Sequence, residues 1–302
     1  MIDHSHGVLV GVDGTLASDE ACRYACDRAL AHRLSLTLVH AWQPTSVYRD
    51  GQRLEAPVWG GERLVQAAAQ QVLDRAVELV ARRAPGLACA HHLVRGVTVE
   101  VLVQASHHAR SMVVGGRERG RHDLSWLGSV PLHLVTRAAA PVVVVPTDPR
   151  TEGDVVVGLD DSALSTAAAG YAFAQAAVAG VGVQALRAFT PAFAGLRPDS
   201  RQEADRREDA RRGLDAFVQP WQEAYPQVPV TQVLSSEHPL RALREAGDDA
   251  GLIVVGSHGR GVVWRHALGS VSSALLRVAT CPVAVVGPDV PARPAVDGRA
   301  GA

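Results

Sequence analysis

Residues Val8-Leu9-Val10-Gly11-Val12-Asp13-Gly14-Thr15 return 147 positions later as Val155-Val156-Val157-Gly158-Leu159-Asp160-Asp161-Ser162. The same offset carries Leu38-Val39-His40-Ala41-Trp42 onto Ala185-Leu186-Arg187-Ala188-Phe189. A second block repeats at an offset of 141: Val113-Val114-Gly115 onto Val254-Val255-Gly256, Gly128-Ser129-Val130 onto Gly269-Ser270-Val271, and Pro141 with its valines onto Pro282. Order and spacing hold within each block, and a surface segment between the blocks can absorb the difference. The chain is therefore one domain written twice, and 302 residues suit two domains of ordinary size. They are placed at residues 1–148 and 149–302, with Pro146–Gly153 as a turn-rich linker.

Each copy alternates short apolar runs with helical stretches. In the first, strands are expected at Gly7–Val12, Ser35–Ala41, Cys89–Val94, Met112–Val114 and Val142–Val145, all apolar on both faces. Helices are expected at Ser18–Arg33, Gly61–Arg83, Val99–His108 and Ser129–Arg137. The second copy gives strands at Asp154–Leu159, Val181–Ala188, Val228–Leu234, Leu252–Val255 and Val283–Val286. Its helices are expected at Leu164–Ala179, Ser200–Ala224, Leu240–Ala246 and Val271–Val278. Strict alternation predicts an α/β fold, two tandem copies of a five-stranded, doubly wound parallel sheet of Rossmann-like type. Gln43–Gly60 and Thr190–Asp199 read as surface loops or lids, and the tail from Gly287 as frayed.

Composition excludes several function classes. Thirty basic against 31 acidic residues give a net charge of −1, which argues against nucleic acid or an anionic membrane as partner. All the basic residues are arginine, so no lysine is present to hold a phosphate, form a Schiff base or act as a base. Aromatics make up 4%, so Ala, Val and Leu must build the core. Cys22, Cys26, Cys89 and Cys281 lack zinc-site spacing and read as reduced thiols. His91-His92 and His107-His108 are adjacent pairs that cannot share a helix face, and no metal site is expected. The opening residues carry no signal-peptide pattern, and Ala167–Val183 reads as a buried helix running into a strand; a cytoplasmic protein is expected. Neither a Gly-x-Ser-x-Gly elbow nor a dinucleotide fingerprint follows a first strand. The mixed-charge stretch Arg201–Arg212 reads as a solvated helix face.

In an open parallel sheet a ligand sits beyond the carboxyl ends of the strands, where strand order reverses. The fourth strand of the second copy runs into Gly256-Ser257-His258-Gly259-Arg260-Gly261, and Gly269-Ser270-Val271 opens the next helix. Glycines at 256, 259 and 261 let backbone N–H groups approach an anion, and the helix start brings free amides, a hydroxyl and a positive dipole end together. Arg260 and Arg265 are candidates to neutralise phosphate. His258 and His266 flank this loop and read as solvated, while Trp126 and Trp264 read as plugs of the sheet–helix crevice. Asp160 closes the first strand, where a carboxylate can meet a ribose or a metal, and Leu186 lies in the second strand, where backbone groups can read an adenine edge.

Gly256-x-x-Gly259, nine residues, then Gly269-Ser270 resembles the nucleotide loop of universal stress proteins of the ATP-binding type. The openings Val10-Gly11-Val12-Asp13 and Val157-Gly158-Leu159-Asp160 are similar to that family's first strand, and the likeness extends from about Gly7 to Val286. The resemblance implies an adenine nucleotide alpha hydrolase-like domain in each copy, ATP as ligand with or without Mg²⁺, and no defined catalytic apparatus. It implies that Gly11 and Asp13, or Gly158 and Asp160, line the ribose and adenine side, and that Val39 or Leu186 meets the base. Val114 or Val255 would precede the phosphate loop. In the second copy Gly256, Gly259, Arg260, Gly261, Gly269, Ser270 and Val271 would hold phosphate; Gly115, Gly128, Ser129 and Val130 are their first-copy counterparts. It further implies pairing of the two copies through their last strands as a pseudo-dimer, with homodimerisation of the chain permitted but not required, and a role as a stress-response regulator or ATP-dependent switch whose signalling partner is unknown.

The first copy departs from the pattern: Glu118 stands where the second glycine belongs, beside Arg117, Arg119 and Arg121. A carboxylate there repels a triphosphate, so the second copy is expected to bind ATP better. Two other classes stay open: a scaffold with degenerate sites, which Glu118 favours, and an ATP-hydrolysing enzyme of the same architecture. The enzyme class calls for Ser-Gly-Gly-x-Asp-Ser after the first strand, where this chain has Asp13-Gly14-Thr15 and Asp160-Asp161-Ser162.

Overall fold

Valine-rich runs flanked by alanine-rich helices fold here as the alternation requires. The structure, a computed structural model, describes residues 7–44, 47–49, 52–54, 61–116, 128–160, 162–189, 200–259 and 268–290. Among them the chain divides into two compact units between Thr147 and Asp148. The first runs β1 (Val8–Gly11), α1 (Leu16–His32), β2 (Leu36–Trp42), β3 (Val47–Arg49), β4 (Gln52–Leu54), α2 (Gly61–Arg83), β5 (Cys89–Arg95), α3 (Thr98–Ser106), β6 (Ser111–Gly115), α4 (Ser129–Arg137) and β7 (Val142–Val145). The second runs β8 (Val155–Leu159), α5 (Ala163–Ala179), β9 (Val183–Ala188), α6 (Ser200–Ala224), β10 (Val230–Ser235), α7 (Pro239–Gly247), β11 (Leu252–Gly256), α8 (Ser270–Val278) and β12 (Val283–Val286).

All five main strands of the first unit are parallel, in the order β7-β6-β1-β2-β5. The second unit has the matching order β10-β9-β8-β11-β12. Right-handed crossovers that step one way from β1 and the other way to β6 put their helices on opposite faces. Thus α1 packs with α2 and α3 with α4, and in the second unit α5 packs with α6 and α7 with α8.

The sparse aromatics are replaced by a close helix–sheet approach. Ala17, Ala21, Ala25 and Ala29 form a buried ridge on α1, at a spacing of four residues that keeps them on one face. Leu164, Ala168, Ala172 and Ala176 repeat that ridge on α5. So close is the approach that a Cβ on Gly115 would stand 2.7 Å from the carbonyl carbon of Ala17 and the amide nitrogen of Ser18. Gly256 meets the Cβ of Leu164 at 2.9 Å in the same way.

Three expectations are corrected. Gln43–Gly60 is not wholly loop: β3 and β4 pair antiparallel, Val47 opposite Leu54 and Arg49 opposite Gln52. The Asp50-Gly51 dipeptide between β-forming residues was the available signal. Nor are all strands buried on both faces. Ala90 and His91 of β5 and Thr231 and Gln232 of β10 are exposed, because these strands lie at the end of their unit's order and are covered less. The starts of β9 and β10 also fall two residues later than expected, at Val183 and Val230.

Cys22, Cys26 and Cys281 are buried, and Cys89 is half-buried. Burial pushes the Cys26 thiol up to about 11 and Cys281 to about 12, and raises Cys22 and Cys89 as well. Thiols so protonated and shielded react slowly. At pH 8 an aromatic disulfide reagent is expected to label Cys89 first, and the other three only on unfolding. Fast uptake of all four equivalents by native protein would contradict this placement.

Candidate functional site

Strand order reverses between β8 and β11, because the chain leaves β8 for β9 on one side and β11 for β12 on the other. A cleft of about 690 Å³ opens at that reversal. Gly158 and Asp160 after β8, Leu186 on β9, Val255 and Gly256 on β11, then Gly259, Gly269, Ser270 and Val271 all line it. The structure thus gathers these sequence-predicted residues around one crevice. Arg260, Gly261, Trp264, Arg265 and His266 lie outside the described residues.

The donors come from α8. Its cap is Gly269, which offers no side-chain acceptor, and Ser270 is the first helical residue rather than the cap. The N–H of Ser273 makes a helical bond to the Gly269 carbonyl at 2.9 Å, so the amides of Ser270, Val271 and Ser272 precede the ladder. Two bonds fix this helix end to the loop after β11. The Gly269 N–H donates to the Ser257 carbonyl at 2.8 Å, and the Ser272 hydroxyl donates to the Gly256 carbonyl at 2.8 Å.

Asp160 is held as firmly. Its Oδ1 accepts from the Ser162 N–H at 3.0 Å, the Ser162 hydroxyl and the Ser165 hydroxyl at 2.7 Å. Its own N–H donates to the Ser165 hydroxyl at 2.8 Å. Its Oδ2 lies against Gly259, where any Cβ would collide with it. Arg187 and Arg206 also line the cleft, and Asp160 is the one carboxylate among the described lining residues. Cations, helix amides and a single acid make a site that favours an anion.

Sequence reasoning missed Ser162, Ser165, Ser257 and Ser272, whose hydrogen bonds hold Asp160 and the start of α8 in place. It also missed Arg187 and Arg206. Arg206 sits inside the stretch read as solvated, and although exposed it reaches the cleft from α6. His258, likewise read as solvated, is half-buried in the lining, with its Nδ1 3.1 Å from the Ser257 hydroxyl.

The first unit differs at the corresponding positions. Gly11 is in register with Val39 and Val114 across three strands. The Val39 carbonyl accepts the Val12 N–H at 3.0 Å and so belongs to the sheet ladder. Asp13 is exposed, and its Oδ1 accepts from the Thr15 N–H at 3.0 Å and hydroxyl at 2.7 Å. Gly128 caps α4 ahead of Ser129 and Val130, again with no side-chain acceptor. Next comes Pro131, which has no N–H, where the second unit has Ser272. The first unit therefore has one helix donor fewer and lacks the counterpart of the Ser272 hydroxyl that ties α8 down. A groove of about 400 Å³ between α1 and α2 is lined by Val12, Gly14, Ser18 and several arginines. Glu118 lies outside the described residues.

The model of the universal stress protein family matches residues 5–146 and, separately, 153–287. This chain belongs to the universal stress protein family. It is a tandem member, as its duplicated sequence requires. It is 36% identical over 295 residues to universal stress protein Rv2005c of Mycobacterium tuberculosis, covering 93% of this chain and 96% of that one. To a universal stress protein of Mycolicibacterium smegmatis it is 33% identical over 290 residues, covering 94% and 97%. The crystal structure of a universal stress protein from Archaeoglobus fulgidus superposes with a TM-score of 0.68 at 18% identity, over 94% of this chain and 98% of that one, and so shares the fold. Among the described residues of this universal stress protein, no helix is long and apolar enough to cross a membrane. Among them, too, no three acidic, histidine or cysteine side chains are grouped to hold a metal ion.

Proposed function

We propose that the second copy of this universal stress protein binds ATP in the cleft between β8 and β11, and that occupancy switches its shape or its partner. The observation that carries this reading is the start of α8, whose first-turn amides receive no bond from a cap side chain, set at a glycine-lined crevice at the strand reversal. A volume of about 690 Å³ lies within the ~300–1,000 Å³ usual for small-ligand sites. The amides of Ser270, Val271 and Ser272 would receive the phosphates, with Gly256 and Gly259 giving close backbone approach. Asp160 Oδ2 would meet the ribose, and Leu186 and Val255 the base. Magnesium, if carried, would arrive on the phosphates with Asp160 as its one acidic neighbour among the described lining residues, which suits an ion that keeps several waters. With no lysine in the chain and no base aimed at a water among the described lining residues, this reading treats hydrolysis as slow and incidental and the protein as a cytoplasmic binder, not an enzyme.

Native mass spectrometry of the full chain with added ATP is expected to show one bound nucleotide per chain. A chain that stays empty at millimolar ATP would overturn the reading in favour of a scaffold. The family resemblance also brings pairing of the two copies through their last strands into the proposal. Sedimentation of the full chain tests the homodimer: a doubled mass supports it, and a single mass leaves internal pairing alone.

A further inference from the structure

We infer that His258, held by Ser257 at the start of α8, contacts the phosphates and takes up a proton as they bind, so that the second copy captures a nucleotide more tightly as pH falls. This rests on the nucleotide reading above and adds a regulation to that site.

His258 is fixed by its neighbours. The Ser257 carbonyl before it accepts the Gly269 N–H at 2.8 Å, and a Cβ on Gly269 would stand 3.3 Å from the His258 Cα. The residue therefore abuts the N-terminus of α8, and it is half-buried in the cleft lining. Its Nδ1 lies 3.1 Å from the hydroxyl of Ser257, a residue that is itself only 2% exposed. With Nδ1 engaged there, Nε2 is the ring nitrogen left to serve a ligand. A hydroxyl that donates to Nδ1 keeps the ring's own proton on Nε2, so the neutral ring already presents a donor. A second proton makes both nitrogens donors and the ring a cation.

An anion beside an imidazole favours its charged form. A bound phosphate would therefore strengthen the hold of His258 on a proton, and by linkage the proton strengthens binding of the phosphate to the same degree. That gain is present at low pH and is lost as pH rises through the titration of the occupied site. The other charged side chains among the described lining residues are Asp160 after β8, Arg187 on β9 and Arg206 on α6. The first turn of α8 carries no acid, and the lining residues of α7, Pro239 and Leu243, are apolar. Carboxylates and guanidinium groups ordinarily keep their charge between pH 6 and pH 8, where histidine changes it.

The first copy lacks the pair. Gly116 and Arg117 occupy the positions of Ser257 and His258. A Cβ on Gly116 would stand 2.8 Å from Val144 Cγ1, so a serine there would crowd the sheet. An arginine carries its charge at every working pH and cannot act as a proton-linked group.

Isothermal titration of the full chain with ATP at pH 6 and pH 8, in the parent and in His258→Gln, tests this. Glutamine keeps a neutral N–H donor and cannot become a cation. Phosphate monoesters also titrate near pH 6, but the free nucleotide is the same for both proteins, so the comparison between them isolates residue 258. From pH 8 to pH 6 the parent is expected to gain about tenfold in affinity relative to His258→Gln, the lower end of what a neighbouring opposite charge does to an ionisable group. Thermal unfolding at both pH values checks that the variant is folded, and His258→Asn provides a second neutral substitute. Identical pH profiles for parent and variants, even at unequal affinity, would overturn the inference while leaving nucleotide binding intact. A parent that binds no ATP at either pH would remove the nucleotide reading itself, and this inference with it.

Discussion

Gly269→Asp is expected to lower the ATP affinity of the full chain about a hundredfold, roughly 2.8 kcal/mol, while Gly128→Asp leaves it within about threefold. The reason is local. An aspartate at a helix cap turns its carboxylate onto the first-turn amides, the groups a phosphate would use. In α8 it would act as a built-in competing anion beside the cleft. In α4 it would cap a helix that already lacks one donor at Pro131. Stability separates this from simple damage. The new cap contributes a few tenths of a kcal/mol over glycine, set against a Cβ that would sit 3.3 Å from the His258 Cα at residue 269 and 3.6 Å from Pro131 at residue 128. Both variants should therefore melt within a few degrees of the parent. Titration calorimetry beside thermal unfolding makes the comparison. Equal losses, or a larger loss for Gly128→Asp, would transfer the nucleotide to the first copy.

Gly115→Ala is expected to destabilise the first unit by about 3 kcal/mol, at the upper end of the cost of an overpacked core. The added carbon would stand 2.7 Å from two backbone atoms in the first turn of α1, which cannot rotate away as a side chain would. Either α1 lifts off β6 and opens the alanine ridge, or the sheet bends. Urea unfolding should show a lower midpoint at unchanged slope. A loss below about 1 kcal/mol would mean that α1 retreats at little cost and that the ridge is looser than its burial indicates. The result also bears on assignment, since residue 115 belongs by sequence to a phosphate loop, yet in this fold it has a packing duty that needs no ligand.

That double duty explains where sequence reading stopped short. The repeat located both strand reversals, and those second-copy residues it named that the structure describes line one cleft. What a glycine is for could not be read from spacing alone: residues 115 and 256 admit α1 and α5, whereas residue 259 admits Asp160 Oδ2. Pro131 opposite Ser272 was in plain view, but its meaning needs the helix register, which makes it a missing donor in one copy and a tether in the other. Arg206 was hidden for a different reason. Charge pattern identifies a polar helix face, but not which of its residues reaches the cleft once α6 is docked. The Asp50-Gly51 signal shows that even the unassigned loop held readable turn chemistry.

The tethers at the start of α8 bear on kinetics. Because the Ser257 and Gly256 carbonyls fix the helix end by bonds internal to the protein, its donors are oriented before any guest arrives. Little conformational freedom is left to surrender on capture, so encounter would be governed by diffusion and charge more than by rearrangement. Residence time would then depend on the Ser272 hydroxyl and the Ser257 and Gly256 carbonyls that hold the helix end as well as on direct contacts.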